Sequence, residues 1–136
     1  MTYLLDTSAA VAIIRGKPAG VRARLASALQ SGDRVVISTI VAYELWYGVS
    51  KSARREENAE LLQTFFSGNV DLIPFESDAA ALAGDVRAAL EKSGNMIGPY
   101  DLMIAAHALS LQATLITANV SEFSRVNGLA WEDWTE

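Results

Sequence analysis

Three acidic side chains stand apart from their neighbours in this 136-residue chain. Asp6 ends the apolar run Tyr3-Leu4-Leu5. Glu44 is the one acid between Asp33 and Glu56 and sits inside Ile40-Val41-Ala42-Tyr43-Glu44-Leu45-Trp46. Asp101 is the single charge in Tyr100-Asp101-Leu102-Met103-Ile104-Ala105-Ala106. A carboxylate in such surroundings is costly unless something compensates it. Each has a local explanation: Asp6 as a helix N-cap, Asp101 at the positive end of its helix, Glu44 in a buried ion pair with Arg15. Gathered at one place, however, three acids repel one another and call for a divalent cation.

Composition narrows the choice of ion. There is no cysteine and only one histidine, His107, which excludes a thiolate zinc site, a cysteine nucleophile and a multi-histidine metal centre. Oxygen donors remain, and they suit a hard ion: Mg²⁺, with Mn²⁺ as a substitute. His107 follows Asp101 by six positions, faces another side of the helix and reads as a structural or surface residue. No phosphate loop, dinucleotide fingerprint or nucleophile elbow is present.

The elements that must position these acids alternate along the chain. Tyr3–Asp6 reads as a buried strand, followed by a helix from about Ser8 to Arg15. Pro18 starts a second helix running to about Gln30. The β-branched Val35–Ser38 is a strand, and Ser38 or Thr39 caps a helix through Glu44 to about Val49. An amphipathic helix spans Arg54–Phe66, a strand Val70–Phe75 with Pro74 at its end, and a helix Asp78–Lys92. Gly98-Pro99 introduces the most apolar helix, Tyr100–Leu111; Ala113–Thr117 is a fourth strand and Leu129–Trp134 a possible fifth. This alternation predicts one domain over residues 1–136, an α/β fold with a mostly parallel sheet of four to five strands between helical layers. Sites in such sheets form beyond the carboxyl ends of the strands, where Asp6 and Asn119 would both arrive.

The net charge of −5 argues against a large basic groove. No apolar run reaches the roughly 18–20 residues that span a bilayer, and Met-Thr-Tyr-Leu-Leu-Asp has no basic leader segment. A cytoplasmic location is the expectation.

Four stretches together carry a family likeness. Tyr3-Leu4-Leu5-Asp6-Thr7-Ser8, then Ile37-Ser38-Thr39 through Glu44-Leu45 and Tyr47-Gly48, then Ile97-Gly98-Pro99-Tyr100-Asp101 through His107-Ala108, then Thr114–Asn119 with Glu122-Phe123 resemble, in order and spacing, the motifs of VapC-type PIN-domain toxins of bacterial toxin–antitoxin pairs. The resemblance implies a PIN-like three-layer α/β/α sandwich. It also implies that Asp6, Glu44 and Asp101 are catalytic metal ligands in a Mg²⁺-dependent endoribonuclease acting on structured RNA such as tRNA. Asn119 stands where many relatives carry aspartate; it would ligate through its carbonyl oxygen but adds no charge, and Glu122 is the nearest acid that would compensate. Thr7, Ser8 and Thr117 would orient waters or phosphate oxygens around the ion. The implied partners are RNA, a cognate antitoxin and a second copy of the chain, in a homodimer and a toxin–antitoxin hetero-oligomer without a membrane. Two rival readings stand beside it. One is a PIN-fold regulatory module working with a DNA-binding partner. The other is an aspartate-nucleophile phosphatase, disfavoured because Asp6 is followed by Thr7-Ser8 rather than by a second aspartate two positions on.

Overall fold

A computed structural model describes residues 1–136. Its strands are β1 (Thr2–Leu5), β2 (Arg34–Ser38), β3 (Asp71–Ile73), β4 (Thr114–Ile116) and β5 (Trp131–Glu132). All pair in parallel, in the order β3-β2-β1-β4-β5. The helices are α1 (Thr7–Arg15), α2 (Val21–Gln30), α3 (Thr39–Lys51), α4 (Arg55–Phe66), α5 (Ser77–Ser93), α6 (Pro99–Leu111) and the short α7 (Val120–Phe123).

Consecutive strand residues point to opposite faces of a sheet, so an unbroken run of buried residues means both faces are covered. Leu4-Leu5, Val35-Val36-Ile37-Ser38 and Leu115-Ile116 are such runs, each residue 0–1% exposed. The expected three-layer α/β/α arrangement follows directly. Leu4 lies in register with Val36 on one side and Leu115 on the other. Each such aliphatic side chain contributes about 1.5–3 kcal/mol when fully buried, and together they anchor a core of 27 buried residues.

The strand order also fixes the site's position. The chain places β2 and β3 on one side of β1, then returns to place β4 and β5 on the other. The crevice between the carboxyl ends of β1 and β4 is therefore the switch point at which open parallel sheets form sites. Asp6 donates its N–H to the Ile116 carbonyl (3.0 Å), which fixes the first residue past β1 against the last residue of β4.

The elements differ from the sequence reading at their ends. Helix α2 starts at Val21, not Pro18, because Pro18 and Gly20 form a turn closed by the Val21 N–H on the Pro18 carbonyl. Strand β3 keeps three residues of the expected six, since Pro74 has no N–H to extend the ladder. Strand β5 keeps only Trp131-Glu132. No helix is long and apolar enough to cross a membrane.

Candidate active site

Asp6 is both of the things its sequence position offered. It caps α1, its Oδ1 accepting from the Ala9 N–H (2.8 Å), and it lies 3% exposed at the sheet edge, where the Ser8 hydroxyl also donates to it (2.8 Å). Burial pushes its carboxyl up, bonds from Thr117, Ala9 and Ser8 pull it down, and the Glu44 charge adds to the upward push. Ser8 in turn receives the Ala118 N–H from beyond β4 at 3.5 Å.

Glu44 reaches the same edge from α3. No ion pair with Arg15 forms; the partner of Glu44 is the Thr7 hydroxyl, which donates to its Oε1 at 2.6 Å. Asp101 comes from the first turn of α6 and is half-buried. Its carboxyl is pushed up to about 7, by burial first and then by Glu122, Glu44 and Asp6. Asp101 Oδ2 also lies beside Glu122: a Cβ on Gly98 would stand 3.6 Å from the one and 3.5 Å from Glu122 Oε1.

Glu122 enters from α7, a four-residue helix too short to show a hydrophobic period. Its Oε1 accepts from the Gly98 N–H (2.6 Å) and its Oε2 from the Asn119 amide (2.6 Å). Burial pushes the Glu122 carboxyl up, but Gly98, Asn119, a hydrogen bond with Asp101 and the Arg125 charge outweigh it, so the net direction is down. Asp101 is therefore the more readily protonated of the two, because the Glu122 anion already has two N–H donors.

Asp6, Glu44, Asp101 and Glu122 thus lie at one end of the sheet, near enough for their charges to interact, with Thr7, Ser8 and Thr117 as hydroxyl partners of Asp6 and Glu44 and Asn119 holding Glu122. Thr117 also accepts the Asn119 N–H at 2.9 Å. None of the four carboxylates is in an ion pair. The donor set suits a hard cation in chemistry, being all oxygen and in anionic excess. No three of these acids are gathered tightly enough to cage an ion by themselves, an arrangement compatible with Mg²⁺, which keeps several waters and uses few protein ligands.

His107 lies outside the site. It is buried, its ring meets Phe75 edge-on with centroids 5.5 Å apart, and burial lowers its pKa. The structural half of its expectation holds and the surface half does not. Beside the carboxylates a cavity of about 400 Å³ runs between α1, α3 and α4, lined by Thr7, Glu44, Val11, Ile14, Leu45 and Leu62 among others; Arg15 and Lys51 also reach it.

The family model of the PIN domain matches residues 3–129. The chain belongs to the PIN-domain family. Among curated relatives, it is 38% identical over 135 residues to the tRNA(fMet)-specific endonuclease VapC of Shigella flexneri, covering 99% of each chain. It is 40% identical over 134 residues to ribonuclease VapC2 of Rickettsia felis, covering 98% of each. Among solved structures, VapBC2 of Rickettsia felis bound to a DNA fragment from its promoter superposes with a TM-score of 0.93 at 38% identity, over 98% of this chain and 99% of that one. These likenesses make the chain a VapC-type PIN domain, a nuclease by kinship, and the resemblance read from its four motifs holds over nearly its whole length.

Proposed function

We propose that this PIN domain, one unit over residues 1–136, is a Mg²⁺-dependent endoribonuclease that hydrolyses phosphodiester bonds in structured RNA such as tRNA. We further propose that it is the toxin of a toxin–antitoxin pair. The observation that carries the reading is the crevice of Asp6, Glu44, Asp101 and Glu122, four acids from four elements with no cationic side chain paired to any of them. Like charges so placed favour a bound cation.

Asp6, Glu44 and Asp101 are the proposed ligands, and Mn²⁺ is expected to substitute. When bound, the ion supplies the positive charge and Lewis acidity that phosphodiester hydrolysis needs. The protein's own part is to keep its acceptors oriented: Ala9 and Ser8 hold Asp6, Thr7 holds Glu44, and Gly98 and Asn119 hold Glu122. Without metal, burial and the neighbouring acids make Asp101 hold its proton well above the ordinary carboxylate range. The names of the relatives favour RNA over other phosphate esters, and a cytoplasmic location goes with that substrate.

The cavity between α1, α3 and α4 is the proposed seat of the antitoxin, whose apolar side chains would meet Val11, Ile14 and Leu45 while a cationic group approaches Glu44. A second copy of the chain would cover the exposed Tyr43, Trp46, Tyr47 and Tyr100, where the Tyr43 and Tyr100 rings pair at 5.3 Å. The Rickettsia felis neighbour, a complex on promoter DNA, favours a second role as a regulatory module with a DNA-binding partner.

The deciding assay incubates the purified protein with tRNA and with a small phosphate ester, with Mg²⁺ and with EDTA. Cleavage of tRNA alone, and only with Mg²⁺, is expected. Turnover of the ester would revive the phosphatase reading, and no turnover of either would leave the regulatory role alone.

A further inference from the structure

Asn119-Val120-Ser121-Glu122 has the spacing of a capping box, in which a polar N-cap residue and an acid three positions later satisfy the free N–H groups of a helix start. Asn119 is indeed the N-cap of α7 and Glu122 is the third residue of that helix, yet neither capping bond forms. The Asn119 side chain donates to Glu122 Oε2 at 2.6 Å instead. Its own N–H goes to the Thr117 hydroxyl. Glu122 sends its other oxygen across to the Gly98 N–H, at the start of α6. Both side chains have been turned from the helix toward the crevice.

Gly98 marks how close that approach is. A Cβ there would lie 3.5 Å from Glu122 Oε1 and 3.6 Å from Asp101 Oδ2, so the two carboxylates flank the same backbone atom. The Asn119 atom that meets Glu122 must be the amide nitrogen, since a carboxylate offers only acceptors. An amide engaged in this way orients the acid.

We infer that Asn119 is a positioning residue: its amide, with the Gly98 N–H, clamps Glu122 against the first turn of α6 and so presents Glu122 beside Asp101 to the proposed metal. The inference rests on the metal-nuclease reading above but names a different role for Asn119 from that of a ligand. The two roles predict opposite signs. Aspartate at position 119 would be a better ligand than asparagine, but it cannot donate, and it would set a second negative charge against Glu122.

The test measures Mn²⁺ affinity of the intact protein by calorimetry for the natural chain, Asn119→Asp, Asn119→Ala, Glu122→Gln and the Asn119→Ala/Glu122→Gln double variant. Hydrogen exchange of the Gly98 amide is read in the metal-free state. Asn119→Ala and Asn119→Asp should each weaken Mn²⁺ binding by about 10–100-fold, the usual effect of losing a group that orients a ligand. The double variant should bind no more weakly than Glu122→Gln, because Asn119 acts through Glu122. Gly98 exchange should quicken in Asn119→Ala while circular dichroism stays unchanged. Tighter Mn²⁺ binding by Asn119→Asp, additive losses in the double variant, or unaltered Gly98 exchange would each overturn the inference. A natural chain that binds no Mn²⁺ would instead sink the metal reading, and the Gly98 exchange would still decide whether the clamp exists.

Discussion

At the scale of single residues, Asp6 has two roles that substitution separates. Asparagine keeps an oxygen that can accept from Ala9, so Asp6→Asn should leave thermal stability nearly unchanged, whereas Asp6→Ala should cost about 1 kcal/mol through loss of the cap. Both should lose RNA cleavage by on the order of 100-fold or more, as should Glu44→Gln and Asp101→Asn, the scale at which electrostatic groups act in such sites. Single-turnover cleavage beside thermal melts checks this; a variant that keeps full specific activity removes its residue from the site. Asp101 adds a pH dependence. Its folded pKa is raised to about 7, whereas an unfolded aspartate titrates near about 4. The folded state holds the proton more tightly, so this contribution to stability is complete below about pH 4 and is lost as pH rises through about 7. Asp101 should therefore lower the melting temperature of the metal-free protein as pH rises from about 4 to about 7. Asp101→Asn should make the fall shallower; Asp6, whose pKa is also raised, acts in the same direction, and His107, whose pKa is lowered by burial, in the opposite one. Part exposure of Asp101 keeps the effect modest.

At the scale of elements, α1 is held at both ends by specific groups. Its last carbonyls, Ile13 and Ile14, accept from the Arg22 guanidinium at 2.8 Å each, and Gly16 closes it in the left-handed conformation (φ 68°). A Cβ at Gly16 would meet the Arg22 guanidinium at 2.9 Å, so Gly16→Ala should destabilise by about 1 kcal/mol or more through strain and displacement of Arg22. Chemical denaturation measures it, and a neutral result would show that Arg22 can leave without loss. The same helix shows what a sequence reader can see. Its start at an acid, its apolar period and its stop at glycine were all legible, and so were the buried apolar runs of β1, β2 and β4, because these signals are local. The partner of Glu44 was not legible, since the choice between Arg15 and Thr7 depends on how α1 and α3 meet. Nor was α7: its capping-box spacing was visible, but its side chains serve a contact with Gly98, which lies far away in the chain. Sequence reasoning found Glu122 only as the nearest acid and had no means of seeing what Asn119 does to it.

At the scale of the whole molecule, the charge of −5 and the cavity beside Glu44 set how partners compete. A cationic antitoxin group approaching the acids answers the same negative charge as the ion, so inhibition by the antitoxin should weaken as Mg²⁺ rises at constant ionic strength. Titration of cleavage at several Mg²⁺ concentrations reads this directly, and an inhibition constant independent of Mg²⁺ would place that group outside the crevice. The strand order has a consequence in time. β1 is made first but lies at the centre of the sheet, and Leu4 finds one of its two flanking partners only in Leu115. Contacts of such long sequence separation form slowly and late. During synthesis, at about 5–20 residues per second, a ribosome-bound chain already carries Asp6, Glu44 and Asp101 while β4 and α7 do not yet exist. Until residues 114–123 emerge, nothing fixes Asp6 against Ile116 or Glu122 against Gly98. On the proposed function, a chain truncated before β4 is therefore expected to show no RNA cleavage rather than a weakened one, because its acids are never held against β4 and α7.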